Sequence, residues 1–381
     1  MKEMRNVNEE MRNAVKRLTL YTFASLCSII SWAQKTITIS NPTSEQRSEL
    51  VSVSAEQLGI EPGKGVIVRD DFGIERATQW THDGLLLMDV HVRPYGKAVF
   101  TIQEGQPAAV LSSVSGRQYP ERLDDIAFEN DRIGFRLYGP ALQRKGEKGY
   151  GIDVWVKRTT ELVLEELYRN DPRLSFHLDY GKGLDCYGVG PTLGCGTSCL
   201  LRNGRIVYPW CYETYNILEK GPLRFTVQVD FAPIDGIAEH RILSLDKGSN
   251  FCEAWVWYTA TTPDGLPSGI DIAAALAIRP ADTTTVVIGK DYVHYADPTV
   301  DPDRHQFQIY SALLFPDTPV TITQQEGHAL GILKNYQEGQ RFHYFFGAAW
   351  SEFDVRSQDE WQCRINGCLK AKKLPLIITV R

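Results

Sequence analysis

Beyond its first 33 residues the sequence lacks any apolar run long enough to cross a membrane. The longest later stretch, Ile270–Ile278, is short and interrupted, whereas a membrane helix needs about 20 apolar residues. Blocks of like charge are also missing, and the formal net charge is −6. We therefore expect a mature chain with no transmembrane segment and no nucleic-acid partner.

The sequence also lacks the motifs of common cofactor sites. Gly188-Val189-Gly190 starts like a dinucleotide fingerprint, but the final glycine and a surrounding βαβ unit are missing. Cys195 and Cys199 have a loosely metal-like spacing, yet no Cys/His pair completes a zinc set. No cofactor is predicted. The many Asp residues are compatible with bound Ca²⁺, although no loop motif marks such a site.

The first 33 residues have the parts of a signal peptide. A positively charged segment ends at Arg17 and an apolar run of about 13 residues follows, with small residues at Ser31 and Ala33. Cys27 suggests a lipoprotein, but Leu26 is larger than the small residue usual before a lipidated cysteine. Residues 1–33 are thus predicted to be a cleaved signal peptide, which implies a periplasmic or cell-surface location.

The rest of the chain is typical of an all-β protein. Residues 34–105 alternate like a small β unit, and Gly105-Gln106-Pro107 forms a plausible linker. Residues 117–381 show strand after strand, and 160–170 is the best helical candidate. We predict a large antiparallel two-sheet sandwich preceded by the small unit.

Seven cysteines follow Cys27, so an odd number would enter an oxidising compartment. Cys363 and Cys368 flank a turn-like Arg-Ile-Asn-Gly and could form a hairpin disulfide. For the others, buried free thiols are the favoured state.

Two predicted strands carry polar side chains on one face. Alternation in 131–138 places Arg132, Arg136 and Tyr138 opposite an apolar face. Arg is suited to bidentate capture of carboxylate or sulfate. The other interpretation is a solvated outer face with local ion pairs.

The next strand repeats this pattern. Asp153, Trp155 and Lys157 share a face, and an aromatic ring between an acid and a base suits a sugar. An exposed sheet face without a ligand remains the alternative.

The segment 176–197 is dense in glycine, which predicts a structured loop with tight turns and close backbone approach. Within it His177 and Tyr187 are candidates for an acid/base pair, and Asp185 could orient either. Trp210 and Tyr212 form an aromatic pair downstream, and His240 is a second histidine candidate. For any single histidine, a structural hydrogen bond is the default role.

Several longer motifs resemble a family of exported Bacteroidetes proteins classed mainly as a domain of unknown function. They are the runs 120–142, 151–155 and 183–190 and the leading segment 39–43. The resemblance implies a place in polysaccharide-utilisation systems, beside lyases and hydrolases. It also implies a supersandwich fold similar to galactose mutarotases and the β domains of polysaccharide lyases.

A dehydratase that acts on ulvan oligosaccharides and makes a terminal unsaturated uronate is similar to this family. The commoner pattern has Gly-Glu-Gly where this chain has Gly181-Lys182-Gly183. If that glutamate is catalytic in the relatives, the departure puts their chemistry in doubt here.

Four functions stay open. The favoured one is elimination on an acidic, uronate-containing oligosaccharide, with Arg132 and Arg136 neutralising the carboxylate. His177 or Tyr187 would then be the base, and Tyr138 or His240 the acid. A glycoside hydrolase would need two carboxylates, for which candidates are numerous. The others are a glycan-binding protein that stacks sugars on tryptophans, and an epimerase or mutarotase.

Overall fold

The computed structural model describes residues 35–171, 173–279, 285–301 and 307–381, so the predicted signal peptide lies outside the described residues. The first seven strands are β1 (Lys35–Ser40), β2 (Arg47–Ser54), β3 (Val66–Asp70), β4 (Glu75–Arg76), β5 (Thr78–Trp80), β6 (Leu85–Val92) and β7 (Lys97–Glu104). The next five are β8 (Val114–Tyr119), β9 (Asp125–Asn130), β10 (Ile133–Leu137), β11 (Asp153–Lys157) and β12 (Gly183–Asp185).

The remaining strands are β13 (Cys195–Arg202), β14 (Arg205–Val207), β15 (Tyr212–Lys220), β16 (Arg224–Phe231), β17 (Ile237–Asp246), β18 (Phe251–Ala260), β19 (Asp271–Ala277), β20 (Val287–Ile288), β21 (Tyr292–Asp297), β22 (Ile309–Leu314), β23 (Thr321–Gln325), β24 (His328–Leu333), β25 (Phe342–Trp350) and β26 (Ile377–Val380). The helices are α1 (Ala55–Leu58), α2 (Pro140–Arg144), α3 (Leu164–Asn170) and α4 (Gln358–Lys373), with a 3-10 turn at Pro120–Arg122.

The small N-terminal unit is a sandwich of two antiparallel sheets. One has the order β26-β1-β7-β3-β4 and the other β2-β6-β5. Alternating apolar residues such as Ile37, Phe100 and Ile102 pack against Val53 and Met88 of the facing sheet. The last strand, β26, belongs to this unit because it pairs with β1, with Ile37 opposite Val380. Residues 377–380, which the sequence assigned to the large domain, thus complete the small one.

The large domain packs two five-stranded sheets against one eight-stranded sheet. The five-stranded sheets have the orders β12-β11-β10-β9-β8 and β14-β13-β19-β24-β23, and a bridge between Ile152 and Gly194 joins them. The eight-stranded sheet has the order β15-β16-β17-β18-β25-β22-β21-β20. Buried side chains of all three sheets, such as Phe135, Leu276 and Phe346, form one core. The predicted all-β, antiparallel class is confirmed.

Helix α4 covers part of the outer face of the eight-stranded sheet, where the sequence suggested a hairpin. Ser357 caps it by accepting a hydrogen bond from the Glu360 backbone N–H. Cys363 and Cys368 both lie in this helix as free thiols. Five helical positions turn the chain by about 500°, so the two side chains point to different sides. The proposed hairpin disulfide is therefore wrong. None of the helices in the described part of the chain is both long and apolar enough to cross a bilayer.

Replacing Trp361 with alanine should destabilise the protein by about 3–5 kcal/mol, because a large buried side chain would be lost from a packed interface. Trp361 is fully buried and stacks on Phe251, with ring centroids 5.1 Å apart. Urea unfolding followed by circular dichroism measures the loss. Cys363→Ala, at an exposed site on the same helix, should change the free energy of unfolding by about 0.5 kcal/mol or less. Equal effects of the two variants would mean that α4 is not docked as described.

Candidate functional site

The polar faces predicted for two strands are one face of the β8–β12 sheet. In the antiparallel register Arg136 stands opposite Asp153, and Trp155 stands opposite Asp185. Their neighbours along the strands, such as Phe135 and Val154, point into the core. These polar side chains therefore lie together on the outer face of the sheet, as strand alternation predicted.

Arg136 lies at the centre of this face, and its side chain is only 5% exposed. Nη2 donates a hydrogen bond to Oδ2 of Asp153 and a second, 2.8 Å long, to Oδ2 of Asp185. Nη1 lies 3.9 Å from Oδ2 of Asp125. One guanidinium thus faces three carboxyl groups. We refer to these four residues as the carboxylate cluster.

The cluster has too little positive charge to keep all three acids ionised. The pKa of Asp153 is raised to about 7, chiefly by burial and then by the charge of Asp185, against the lowering effect of Arg136. Burial likewise raises the pKa of Asp125 to about 6. The pKa of Asp185 is also raised by burial, while Arg136 and Arg122 oppose the shift. Near neutral pH the cluster can therefore hold a proton and release it.

An aromatic layer and helix α3 cover the cluster on the side away from the core. Trp155 packs against Tyr168 of α3 and against Phe176, with ring centroids 5.1 and 4.8 Å away. Trp155 is thus buried among aromatic rings, although the sequence suggested that it stacks on sugar. Arg136 Nε, Trp155 Nε1 and the Tyr168 hydroxyl are buried without a hydrogen-bond partner in the described residues. Each such buried polar atom calls for an explanation, such as a catalytic role or a bound water.

Lys157 lies on the same face but serves the fold. Its Nζ donates a 2.6 Å hydrogen bond to Glu129, which also accepts from the backbone N–H groups of Val163 and Leu164. Both side chains are buried. This ion pair anchors the start of α3 over the sheet, so the predicted substrate-binding role of Lys157 is replaced by a structural one.

The loop after α3 brings His177 to the edge of the cluster. The Asp185 backbone N–H donates to the Phe176 carbonyl at 2.9 Å, and His177 Nδ1 donates to the Asp185 carbonyl at 2.9 Å. Because a carbonyl can only accept, Nδ1 carries the proton and Nε2 keeps its lone pair. The side chain is 57% exposed, and its Nδ1 is 3.7 Å from Oδ2 of Asp185. His177 is therefore set up to accept a proton through Nε2.

Glycine makes the close packing of this loop possible. Gly183 has φ +116°, and a Cβ there would lie 2.0 Å from the Val156 carbonyl oxygen. The close backbone approach predicted for the glycine-rich segment is thus confirmed at this position. Lys182, at the departure from the family pattern, donates a 2.6 Å hydrogen bond to Glu166 of α3.

Tyr138 stands at the half-buried rim on the other side of Arg136. Its hydroxyl oxygen accepts a hydrogen bond from Arg136 Nη2 at 3.2 Å, and the hydroxyl donates one to Oδ2 of Asp153, 3.4 Å from the oxygen. Burial raises the pKa of Tyr138, so the hydroxyl stays protonated at neutral pH. Tyr138, which was predicted to be the proton donor, therefore lies between a hydrogen-bond donor, Arg136, and an acceptor, Asp153.

A strained turn holds the remaining acid of the cluster in place. Leu123 and Asp124 both have left-handed backbone angles, with φ 58° and 67°. Gly139 packs against this turn so closely that a Cβ would lie 2.2 Å from the Asp124 carbonyl carbon, and its N–H donates to Asp125 at 3.2 Å. The Tyr212 hydroxyl donates to the Asp124 carbonyl. This hydrogen bond helps to hold the turn that precedes Asp125.

Four predicted residues are not brought to the cluster: Arg132, Tyr187, His240 and Trp210. Arg132 lies in the turn before β10, so strand alternation does not reach it, and it binds the Gly248 carbonyl at 2.6 Å and Asp354 at 2.9 Å. Tyr187 follows the end of β12 and is turned into the core, where burial raises its pKa. His240 lies on the outer face of the eight-stranded sheet.

The thickness of the sandwich therefore separates His240 from Arg136. Its ring stacks on Trp257 at 5.1 Å and bonds to Asp230 at 2.7 Å. Trp210 is exposed beside a small cavity that Glu239 and Tyr258 also line.

Sequence reasoning did not single out Asp125, Tyr168 or Arg122 as members of the site. Asp125 was only one of the numerous carboxylates open to a hydrolytic role, and its position near the Arg136 guanidinium is what distinguishes it. Tyr168 lies on the buried side of the predicted helix, so its apolar spacing was the available signal. Arg122 lies within the run 120–142 that carries the family resemblance.

One group of side chains in the described part of the chain has metal-ligand spacing. His82, Asp83 and Glu219 offer ligand atoms within 4.8 Å of one another. They lie at the seam between the small unit and β15, where His82 Nδ1 is 2.7 Å from Glu219. The His82 backbone N–H also donates to Glu219 across this seam at 2.9 Å, whereas Asp83 accepts a hydrogen bond from Thr81 within the small unit.

Comparisons with known proteins give a family model and distant relatives. The model described as a domain of unknown function (DUF4861) matches residues 39–378. The "Uncharacterized protein P7" of Formosa agariphila is 26% identical over 260 residues, which is 60% of this chain and 65% of that protein. This chain thus spans slightly less than two thirds of the length of that relative.

Two solved structures from Enterococcus faecalis are similar over 91% of this chain. One is a protein in glycosyl hydrolase family 38, with a TM-score of 0.47, 9% identity and 47% of its own chain covered. The other is an alpha-mannosidase, with a TM-score of 0.46, 9% identity and 46% covered. This chain spans about half the length of each.

The unusual pKa of Asp153 should appear in the pH dependence of stability. The folded protein holds a proton on Asp153 up to about pH 7, whereas an unfolded aspartate releases it near pH 4. This contribution to stability is therefore fully present below pH 4 and is lost as the pH rises through 7. Asp153→Asn removes the titration.

Between pH 5 and 8 the stability of the native protein should consequently fall relative to Asp153→Asn, by an amount on the order of 1–3 kcal/mol. Urea unfolding of both proteins at the two pH values measures this difference. Asp71→Asn, at an exposed site, is the matched control and should show no such change. Parallel pH profiles for Asp153→Asn and the native protein would contradict the raised pKa.

Proposed function

The chain belongs to the DUF4861 family, and with that premise we propose that it is an exported carbohydrate-active enzyme that uses His177 and Tyr138 for acid–base elimination on an oligosaccharide. The observation that carries the proposal is the link between these two residues. Contacts of 3.7, 2.8 and 3.2 Å lead from His177 through Asp185 and Arg136 to Tyr138. Both lie at the rim of a buried network that can bind and release a proton.

The hydrogen bonds indicate which of the two residues acts as the base and which as the acid. His177 Nε2 has a lone pair and an exposed position, so it takes the proton from the carbon next to a uronate carboxylate. The electrons of that C–H bond form a C=C bond, and the C–O bond on the adjacent carbon breaks. The departing oxygen takes the proton of Tyr138. The products are an unsaturated sugar and either water, for a dehydration, or a shortened saccharide, for a lyase.

The carboxylate cluster prepares Tyr138 for this step. Burial raises the pKa of Tyr138, so its hydroxyl carries a proton before the reaction. When the proton leaves, Arg136 Nη2 at 3.2 Å stabilises the phenolate. Asp153, with a pKa raised to about 7, lies close enough to return a proton. Asp185 and Arg136 act as positioning residues in this scheme.

Hydrolysis is the second candidate, and the raised pKa values of Asp125 and Asp153 favour it. Carboxyl groups with pKa values near 6 and 7 are suited to be general acids in glycoside hydrolysis. Both are buried, however, and a substrate at the rim meets His177 and Tyr138 first. Loss of activity in Asp153→Asn, with His177→Gln unaffected, would favour this candidate.

The test incubates the mature protein with a panel of uronic-acid oligosaccharides and follows the absorbance of unsaturated uronate, with mass spectrometry of the same samples. We expect rising absorbance with loss of water or with cleavage. His177→Gln and Tyr138→Phe should each lower the rate about 10²- to 10⁴-fold. His240→Gln, which changes a histidine on the opposite face, should retain the native rate.

Shorter products without a C=C bond would show that the reaction is hydrolysis and not elimination. A native rate in both His177→Gln and Tyr138→Phe would overturn the acid–base assignment. Binding without any product across the panel would leave a glycan-binding protein as the function.

A further inference from the structure

Elimination next to a carboxylate needs a cation at that carboxylate, and the two arginines expected from the sequence are engaged elsewhere. Arg136 is buried and holds Asp153 and Asp185. Arg132 binds Asp354 in a distant turn. The carboxylate cluster itself would repel an anionic sugar, because it contains three acids and one guanidinium. A positive group at the exposed edge of the site is therefore required if the substrate is acidic.

Arg122 occupies that edge. It ends the 3-10 turn Pro120–Arg122, directly before the strained residues Leu123 and Asp124. Gly139 packs on this turn, which fixes where Arg122 leaves the backbone. Its side chain is 40% exposed. The backbone strain that places Asp125 thus places Arg122 as well.

The guanidinium of Arg122 lies beside the residues of the proposed reaction. Its Cζ is 4.8 Å from the centre of the Phe176 ring, and Phe176 directly precedes His177. Its charge lowers the pKa of Asp125 and of Asp185, although burial dominates both shifts and raises them. Arg122 therefore faces the cluster from the same side as His177.

Arg122 also has donors to spare. Its nearest acid is Asp171, with Nη1 3.7 Å from Oδ2, and its guanidinium donates no hydrogen bond within the described residues. Arg117, on the same side of the sheet, contrasts with it. The Arg117 guanidinium bonds to Glu165 at 2.8 Å and to Glu121 at 2.6 Å. The contact of Arg122 with the Phe176 ring leaves its N–H groups available to bind a planar anion.

We infer that Arg122 binds the anionic group of an acidic saccharide, a carboxylate or a sulfate, and so selects acidic over neutral substrates. The expectation that an acidic saccharide binds beside Arg122 rests on the proposed function. The binding step itself does not require turnover. In the elimination, Arg122 would also draw charge from the substrate carboxylate and make the neighbouring C–H bond more acidic.

Binding can be measured by calorimetry with three probes that differ only in their charged group. They are a glucuronate-containing tetrasaccharide, the same compound with methyl-esterified carboxylates, and the corresponding tetrasaccharide with glucose in place of glucuronate and one sulfate group. The native protein should prefer a charged probe to the ester. Arg122→Gln should weaken binding of that charged probe about 10- to 100-fold and leave binding of the ester unchanged. The probe that shows the loss identifies the group as carboxylate or sulfate.

Two further variants separate geometry from charge. Arg122→Lys keeps the charge without the bidentate fork, so its affinity should be intermediate. Arg169→Gln removes an equal charge from a 70% exposed position on α3 and should bind like the native protein. Unfolding temperatures of all variants confirm that each is folded.

Three results would overturn the inference: no binding of either charged probe by the native protein, equal affinity for charged and esterified probes, or native affinity in Arg122→Gln. These are distinguishable from a failure of the proposed function. Arg122-dependent binding without any product supports the inference while elimination fails. Turnover that persists with native KM and kcat in Arg122→Gln rejects the inference and leaves the acid–base assignment in place.

Discussion

The buried guanidinium of Arg136 is the interaction on which the rest of the site depends. It stands at the middle of the β8–β12 sheet and holds side chains from β9, β11 and β12 around one positive charge. A buried cation is tolerated in a fold only when acids and hydrogen bonds compensate it. Here the acids outnumber the cation, so part of the compensation comes from protons. The network is therefore both a structural centre and a store of exchangeable protons.

The surroundings of Arg136 separate the roles of otherwise similar groups. Asp153 and Asp185 are buried beneath the aromatic layer, so in the proposed reaction they act only through His177 and Tyr138 at the rim. His177 is held by a backbone carbonyl, which fixes its tautomer. Tyr138 lies between a donor and an acceptor, which keeps its hydroxyl oriented. Each of these two groups at the rim is thus oriented by a buried residue.

Local rules in the sequence predicted much of this face, since strand alternation has a short and regular period. Arg136, Tyr138, Asp153 and Trp155 were placed on polar faces correctly, and the antiparallel register then joined the two strands. Alternation failed for Arg132, which lies in the turn one residue before β10. Tyr187, which was predicted from the glycine-rich loop, lies two residues after β12 and is buried in the core. Neither residue reaches the site.

Other features depended on contacts that no short pattern encodes. The docking of α3 over the sheet decides that Trp155 and Lys157 are buried, and it joins segments that are distant along the chain. Helix α4 did have a local signal. Ser357 with Glu360 resembles a capping box, and Trp361, Ile365 and Leu369 recur at helical spacing. The Arg-Ile-Asn-Gly between the two cysteines resembles a turn, and for this reason a hairpin was predicted in place of the helix.

The pairing of β26 with β1 has a consequence for the order of folding. The small unit contains the first strands of the described chain to be synthesised, yet β1 remains an open edge until residues 377–380 arrive. An unpaired edge strand offers its N–H and C=O groups to other chains. Pairs that are distant in sequence also form slowly. The small unit is thus the first part of the described chain to be synthesised. Its edge strand β1 is protected from pairing with other chains only after β26 has been made.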